Sequence, residues 1–233
     1  MTAPLVQLYC KRLDDRNVDE FLFAEPDHVG WQINLAKLAP GERETAVDRS
    51  ARMVERLAGE GVRSVFLIHP STDASVLIPM LDRVRPDIFL ASAERTARAL
   101  EAVRRSATTP EIMVPIGIPV RASVAPGYEP EREVATVADY ADWYTTDTIT
   151  PVDTPERFGC SGQTSDWGRL VSVVAFARKP VVVAGGLHPG NVALLWKLCR
   201  PKGFDAHTSV CTDGIPDREK SLAFAAAVRS LAH

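Results

Sequence analysis

The chain has 233 residues, of which 45% are hydrophobic and 24% charged, and its net charge is −3. That balance is ordinary for a water-soluble globular protein and supplies no basic block for nucleic acid. No apolar run approaches the roughly 20 residues a membrane helix needs, and the opening MTAPLVQLYCKRLDD lacks the layout of a secretion signal.

Taken in chain order, short apolar runs alternate with longer stretches of helical period. The strand-like runs are 5–10 (LVQLYC), 28–34 (HVGWQIN), 63–69 (RSVFLIH), 87–92 (DIFLAS), 111–118 (EIMVPIGI), 142–147 (DWYTTD), 180–185 (PVVVAG) and 204–208 (FDAHT). Between them, helices are expected at 16–24, 43–60, 93–106, 164–177, 188–199 and 217–232. In 43–60, Ala46, Val47, Ala51, Met53, Val54 and Leu57 fall largely on one face. Thr164 or Ser165 is expected to cap the helix at 164–177, with Asp166 in its first turn. Most strands read as unbroken apolar runs, the mark of burial on both faces in a parallel sheet. Eight β–α units in 233 residues match a single-domain TIM (β/α)8 barrel over 1–233. An open doubly wound sheet would want a glycine-rich loop after the first strand, where this chain has Cys10-Lys11-Arg12.

Two connections, 119–135 and 148–163, are longer than such turns require, and long loops in a compact domain are often functional. On a barrel, chemistry sits where strands end. The candidates there are Cys10, Asn34, His69, Asp147, Gly185-Gly186, Asp205, His207 and Thr208-Ser209. Glycines ending strand seven let backbone N–H groups approach a ligand oxygen, and the helix that follows aims its positive end at the same spot. Thr208 and Ser209 would add donors, so a phosphate between strands seven and eight is expected. The same pair of glycines is equally consistent with a tight strand-to-helix turn. Cys10, Cys160, Cys199 and Cys211 lie far apart with no CxxC pair, which argues against zinc or a disulfide scaffold and suits a reducing cytoplasm.

Three blocks carry a resemblance to a known family. Asp147-Thr148, followed by Phe158-Gly159-Cys160-Ser161-Gly162-Gln163-Thr164-Ser165-Asp166-Trp167, is the first; Ala184-Gly185-Gly186-Leu187-His188-Pro189-Gly190-Asn191-Val192 is the second; Leu5 to Cys10 is the third. In these the chain resembles the phosphoribosylanthranilate isomerases of tryptophan biosynthesis, with the better match in the C-terminal half. The resemblance implies a barrel enzyme that needs no cofactor and no metal, and that converts a phosphoribosyl amine to a 1-amino-1-deoxyribulose phosphate. It implies Asp147 as general acid and Cys10 as general base, with Asp205 near the sugar. A small phosphorylated substrate, a monomer or homodimer, and no nucleic acid or membrane partner go with it. A raised carboxyl pKa and a lowered thiol pKa, helped by Lys11 or Arg12, would serve those roles.

The pattern departs from the family in several places. Lys11-Arg12-Leu13 replaces Gly-Ile-Thr, and the strand at 88–92 lacks the family's Gln and His. The Lys-Arg pair after strand two is missing, leaving Lys37 and Arg43 in that stretch. Cys160 stands where glycine is usual and reads as incidental, Cys199 as core, and Trp167 as packing against the barrel. Lys11, Arg12, Asn34, His69, Gly162 and Arg121 are candidates for the rebuilt amine end. Two alternatives stay open: a barrel repurposed to bind a sugar phosphate without turnover, and an isomerase of another N-ribosyl phosphate. An aldolase or epimerase would want a Lys or metal set that Lys11, His69 and His207 do not convincingly make.

Overall fold

Eight parallel strands hydrogen-bond in sequence order and close into a barrel. The structure is a computed structural model that describes residues 3–120, 128–150 and 158–232. The strands are β1 (Leu5–Tyr9), β2 (His28–Asn34), β3 (Arg63–His69), β4 (Ile88–Leu90), β5 (Glu111–Pro119), β6 (Trp143–Ile149), β7 (Val181–Val183) and β8 (Gly203–Ala206). Eight helices alternate with them: α1 (Asp19–Leu22), α2 (Pro40–Gly59), α3 (Ala74–Val84), α4 (Ala97–Arg104), α5 (Pro130–Val137), α6 (Trp167–Phe176), α7 (Val192–Cys199) and α8 (Arg218–Arg229). Every strand therefore delivers its C-terminal end to the same rim.

Two helices go beyond the sequence reading. In α3, Pro79 interrupts the helical pattern but points to solvent, while Leu77, Met80, Leu81 and Val84 are buried. Asp73 caps its start by accepting from the Ser75 N–H at 2.9 Å. The helix α5 begins inside the stretch 119–135 that reads as a loop and runs on to Val137. Its Pro130, Glu131 and Glu133 suit a first turn, where proline loses no bond and acids meet the helix dipole. The cap of α6 is Asp166 rather than Thr164 or Ser165; its carboxylate accepts from the N–H groups of Gly168 and Arg169. The strand ends also shift: β6 runs to Ile149, and β8 stops before His207, which begins a short 3-10 turn.

The pleat sorts side chains by parity. Val6, Leu8, Val29 and Phe66 belong to the main core between strands and helices. Tyr9, Val65, Ile88, Leu90, Met113 and Val182 form a separate cluster, the filling of the barrel itself. Three aspartates close the opposite, N-terminal rim in pairs of strands. Asp27 accepts from the Val6 N–H, Asp87 from that of Ser64, and Asp142 from that of Ile112, each at 2.8 Å. These carboxylates join β1 to β2, β3 to β4 and β5 to β6. Between β7 and β8 the corresponding contact is backbone only, from Lys202 N–H to Val181 O at 3.0 Å.

His28 lies low in the barrel, buried against Trp143, with its Nδ1 3.1 Å from Gln7 Oε1. Burial, with the Arg63 charge adding to it, pulls its pKa from 6.5 down to about 4. The folded protein thus keeps the ring neutral where the unfolded chain takes up a proton. Stability carried by the neutral ring is present above pH 6.5 and is lost as pH falls through about 4. The unfolding free energy should drop over that window by on the order of 3 kcal/mol. Denaturant melts at a series of pH values should show this slope, and His28→Gln should remove most of it.

Candidate active site

The C-terminal rim holds a cavity of about 140 Å³ between the ends of β6, β7 and β8. Asp147, Cys160, Gly162, Gly185, Gly186, Asp205, His207, Thr208 and Ser209 all line it. Tyr9 lies behind this lining. It is buried, its phenol donates to Gln32 Oε1 at 2.9 Å, and its ring meets His207 edge-on at 5.8 Å. Burial raises the Tyr9 pKa, and the nearby charges of Cys160, Asp205, Asp147 and Cys10 push it further the same way. Groups from β1, β6 and β8 and the loop after β6 thus converge over one ring.

Cys10 directly follows β1, is wholly buried and does not itself line the cavity. Beyond β8 the chain turns back in a small hairpin, β9 (Cys211–Thr212) and β10 (Ile215–Pro216), through Asp213 and Gly214, both with positive φ. The hairpin roofs the thiol: Cys10 Sγ lies 3.3 Å from the Gly214 carbonyl oxygen. The Arg12 N–H donates to the same sulfur at 3.4 Å. Ligand atoms of Cys10, His207 and Cys211 all lie within 4.8 Å of one another. A hydrogen bond from Cys211 lowers the Cys10 pKa most, burial opposes it, and His207 and the Arg12 amide lower it further. Cys211 is driven up in turn, chiefly by Cys10. Burial alone would lower His207, but the Cys10 and Cys160 sulfurs beside it outweigh that and raise it to about 10.

Asp147 stands at the end of β6, across the mouth from β1. Burial raises it to about 6, offset in part by the Thr148 N–H, which donates to Oδ1 at 2.8 Å, and by the charges of His207 and Lys11. Gly159 makes room for it. A Cβ on Gly159 would lie 2.0 Å from Asp147 Oδ2, and the backbone there has φ +72°. Asp205, on β8, is pushed to about 7 by burial and then by Asp147, with Gln7 opposing. Its Oδ1 is buried without a hydrogen-bond partner. The two carboxyls therefore hold protons more tightly than a free acid does.

The glycine pair does two jobs. Both residues have positive φ, +99° and +65°. A Cβ on Gly186 would lie 2.5 Å from the Gln163 carbonyl, so this glycine is required by a crossing of two backbones. Next to it, Ser165 Oγ is buried without a partner, and the N–H groups of Gly185 and Gly186 donate to no described protein group. The two glycines thus bring bare amides to the cavity end expected to take an oxyanion, with the spare Ser165 hydroxyl buried behind them. Thr208 lies beside them with its side chain exposed. Ser209 differs from the expectation: its hydroxyl donates to Leu187 O at 2.6 Å and holds the loop after β7.

The amine end is less concentrated than the sequence suggests. Lys11 is exposed, and its charge reaches Asp147. Arg12 donates to Asp213 O at 3.1 Å, which ties it to the roof. Asn34 is an ordinary cap, accepting from Ala36 N–H at 3.1 Å, and His69 pairs with Glu94 at 3.1 Å. Neither lines the cavity. Lys37 is exposed, Arg43 donates to Leu35 O, and Arg121 lies outside the described residues. Gly162 does line the cavity, with φ +70°.

Two residues acquire weight that the sequence reading withheld. Cys160, read as incidental, adjoins His207 and has φ +56°, a backbone suited to glycine. His207, weighed only within an unconvincing set, lies at the centre of the thiols. Its replacement of the serine usual at that point of strand eight was the available signal.

Comparison with known proteins follows the same outline. The family model described as N-(5'-phosphoribosyl)anthranilate (PRA) isomerase matches residues 110–227. A protein of that name from Methanothrix thermoacetophila is 24% identical over 95% of this chain and 96% of its own length. A Roseiflexus namesake is 38% identical over 34% of this chain, which spans 36% of that relative, and for Desulforudis audaxviator the figure is 43%. Among solved structures, the Pyrococcus furiosus isomerase overlays with TM-score 0.71 at 16% identity, covering 97% of this chain and 99% of that one. A thiamine phosphate pyrophosphorylase from the same organism overlays at 0.70 with 15% identity, so shape alone speaks for the fold and not the chemistry.

The crossing at Gly186 gives a direct test. Gly186→Ala should destabilise the protein by about 1–3 kcal/mol, because it adds both a clash and an unfavourable φ. Gly59→Ala, at the end of α2 with nothing within 4 Å of the added carbon, should be neutral or stabilising by about 0.5–1 kcal/mol. Urea denaturation of both variants checks the pair.

Proposed function

Because the chain belongs to the N-(5'-phosphoribosyl)anthranilate isomerase family, we propose that it catalyses the Amadori rearrangement of N-(5-phosphoribosyl)anthranilate, with Cys10 and Asp147 as its acid–base pair. The observation that carries this reading is their disposition. Asp147 lines the cavity near the end of β6, and Cys10, just past β1, lies buried beside His207, which lines the same cavity; both charges reach Tyr9.

The steps follow from what each group can hold. Asp147, kept partly protonated near neutrality by burial, gives its proton to the furanose ring oxygen. The C1–O bond breaks and the nitrogen lone pair forms a C1=N iminium. Cys10, as thiolate, removes the proton on C2. The C–H electrons become a C1=C2 bond and neutralise the iminium, giving an enolamine that tautomerises to the ketone. The Arg12 amide supports the thiolate, since its N–H already donates to the sulfur. The phosphate is assigned to Gly185, Gly186 and Thr208 and to the backbone of Ser209, whose hydroxyl is held by Leu187, where free backbone N–H groups favour an oxyanion. Lys11 is assigned to the anthranilate carboxylate as the exposed cation nearest Asp147, replacing the missing Lys-Arg pair. Four free thiols suit a reducing cytoplasm as the working compartment.

Purified protein should quench the fluorescence of phosphoribosylanthranilate without added nucleotide. Cys10→Ser and Asp147→Asn should each lower kcat by roughly 10²–10⁴-fold while leaving the far-ultraviolet circular dichroism unchanged. Full turnover in both variants would remove the role assignment. Lys11→Ala should raise KM more than it lowers kcat.

A further inference from the structure

We propose that Cys10, His207 and Cys211 form a site for one thiophilic divalent cation of the zinc class, at the mouth of the barrel. Three observations meet there. One imidazole nitrogen and two sulfurs lie within 4.8 Å of one another. Two sulfurs and one imidazole are a donor set that suits zinc and discriminates against magnesium and calcium. Both ring nitrogens of His207 are buried, and neither has a hydrogen-bond partner. A buried imidazole left unpaired at both nitrogens is costly, and a metal on one of them removes part of that cost.

The frame around the cluster is fixed by separate elements. Cys10 follows β1, His207 follows β8, and Cys211 opens the hairpin strand β9. Lys220 Nζ anchors the Cys211 carbonyl at 3.1 Å, and the Arg12 N–H points at Cys10 Sγ. Tetrahedral zinc holds such donors roughly 3.5–3.8 Å apart, so the cluster closes around a cation by about 1 Å of side-chain movement. On binding, the thiols surrender their protons to solvent, and two thiolates balance the dication. Cys160 adjoins His207 and lines the cavity, so a fourth ligand would enter from that side. The cysteine spacing read as evidence against zinc because it contains no local pair; the barrel supplies the pairing instead.

The site goes beyond the isomerase reading and beyond the metal-free expectation for the family. It shares Cys10 with the proposed base, so cation and turnover exclude each other: zinc should inhibit, and a chelator should restore activity. The decisive measurement needs no substrate. Chelator-treated, reduced protein titrated with Co(II) should take up one equivalent, develop a sulfur-to-cobalt charge-transfer band with strong tetrahedral d–d bands, and lose both on adding Zn(II). Cys211→Ala and His207→Ala should each weaken cobalt binding by at least about 100-fold, as loss of one ligand of a chelate does. Cys199→Ala, on α7 away from the cluster, should bind as the unaltered protein does. Where an alanine variant fails to fold, Cys211→Ser keeps the packing and carries the same test. The proposal is overturned if the unaltered protein shows no charge-transfer band, or if the bands and affinity survive both ligand substitutions. Because this readout is independent of turnover, an inactive protein with an intact cobalt spectrum refutes only the isomerase reading.

Discussion

The contact between Tyr9 and Gly30 sets the depth of everything above it. A Cβ at Gly30 would lie 2.6 Å from Tyr9 Cδ2, so the absence of a side chain on β2 lets the phenol from β1 lie over that neighbouring strand. The ring caps the apolar filling, and its hydroxyl is satisfied by Gln32 on the same strand. Above it, burial is what holds the Asp147 and Asp205 carboxyls up.

Much of the fold was legible because it depends on repetition. Eight unbroken apolar runs alternating with longer helical stretches pointed to a parallel sheet, and the first run, ending in Cys10-Lys11-Arg12, argued against a dinucleotide loop. What escaped was local. Pro79 masked α3, whose buried stripe survives because the proline faces solvent. The N-cap is Asp166 because the helix starts at Trp167, later than its apolar pattern suggests, and the carboxylate there accepts from two N–H groups.

The site divides in the same way. Strand ends could be located from the sequence, so the rim positions of Cys10, Asp147, Gly185 and Asp205 were readable. Side-chain commitments were not. Asn34 and His69 also end strands, yet each is engaged by a neighbour on its own side of the barrel. Nor does spacing reveal that a hairpin after β8 would bring Cys211 back over Cys10. That approach depends on the positive φ of Asp213 and Gly214, and an Asp-Gly pair was its only trace in the sequence.

The aspartates at the opposite rim have a consequence of their own. They clamp three of the eight neighbouring strand pairs at the base, whereas β7–β8, like the other four pairs, is joined there by main chain. Side-chain bracing by carboxylates is thus concentrated at the foot of the barrel, while the glycine pair, His207 and Thr208 sit at the far ends of two strands that carry no such clamp between them.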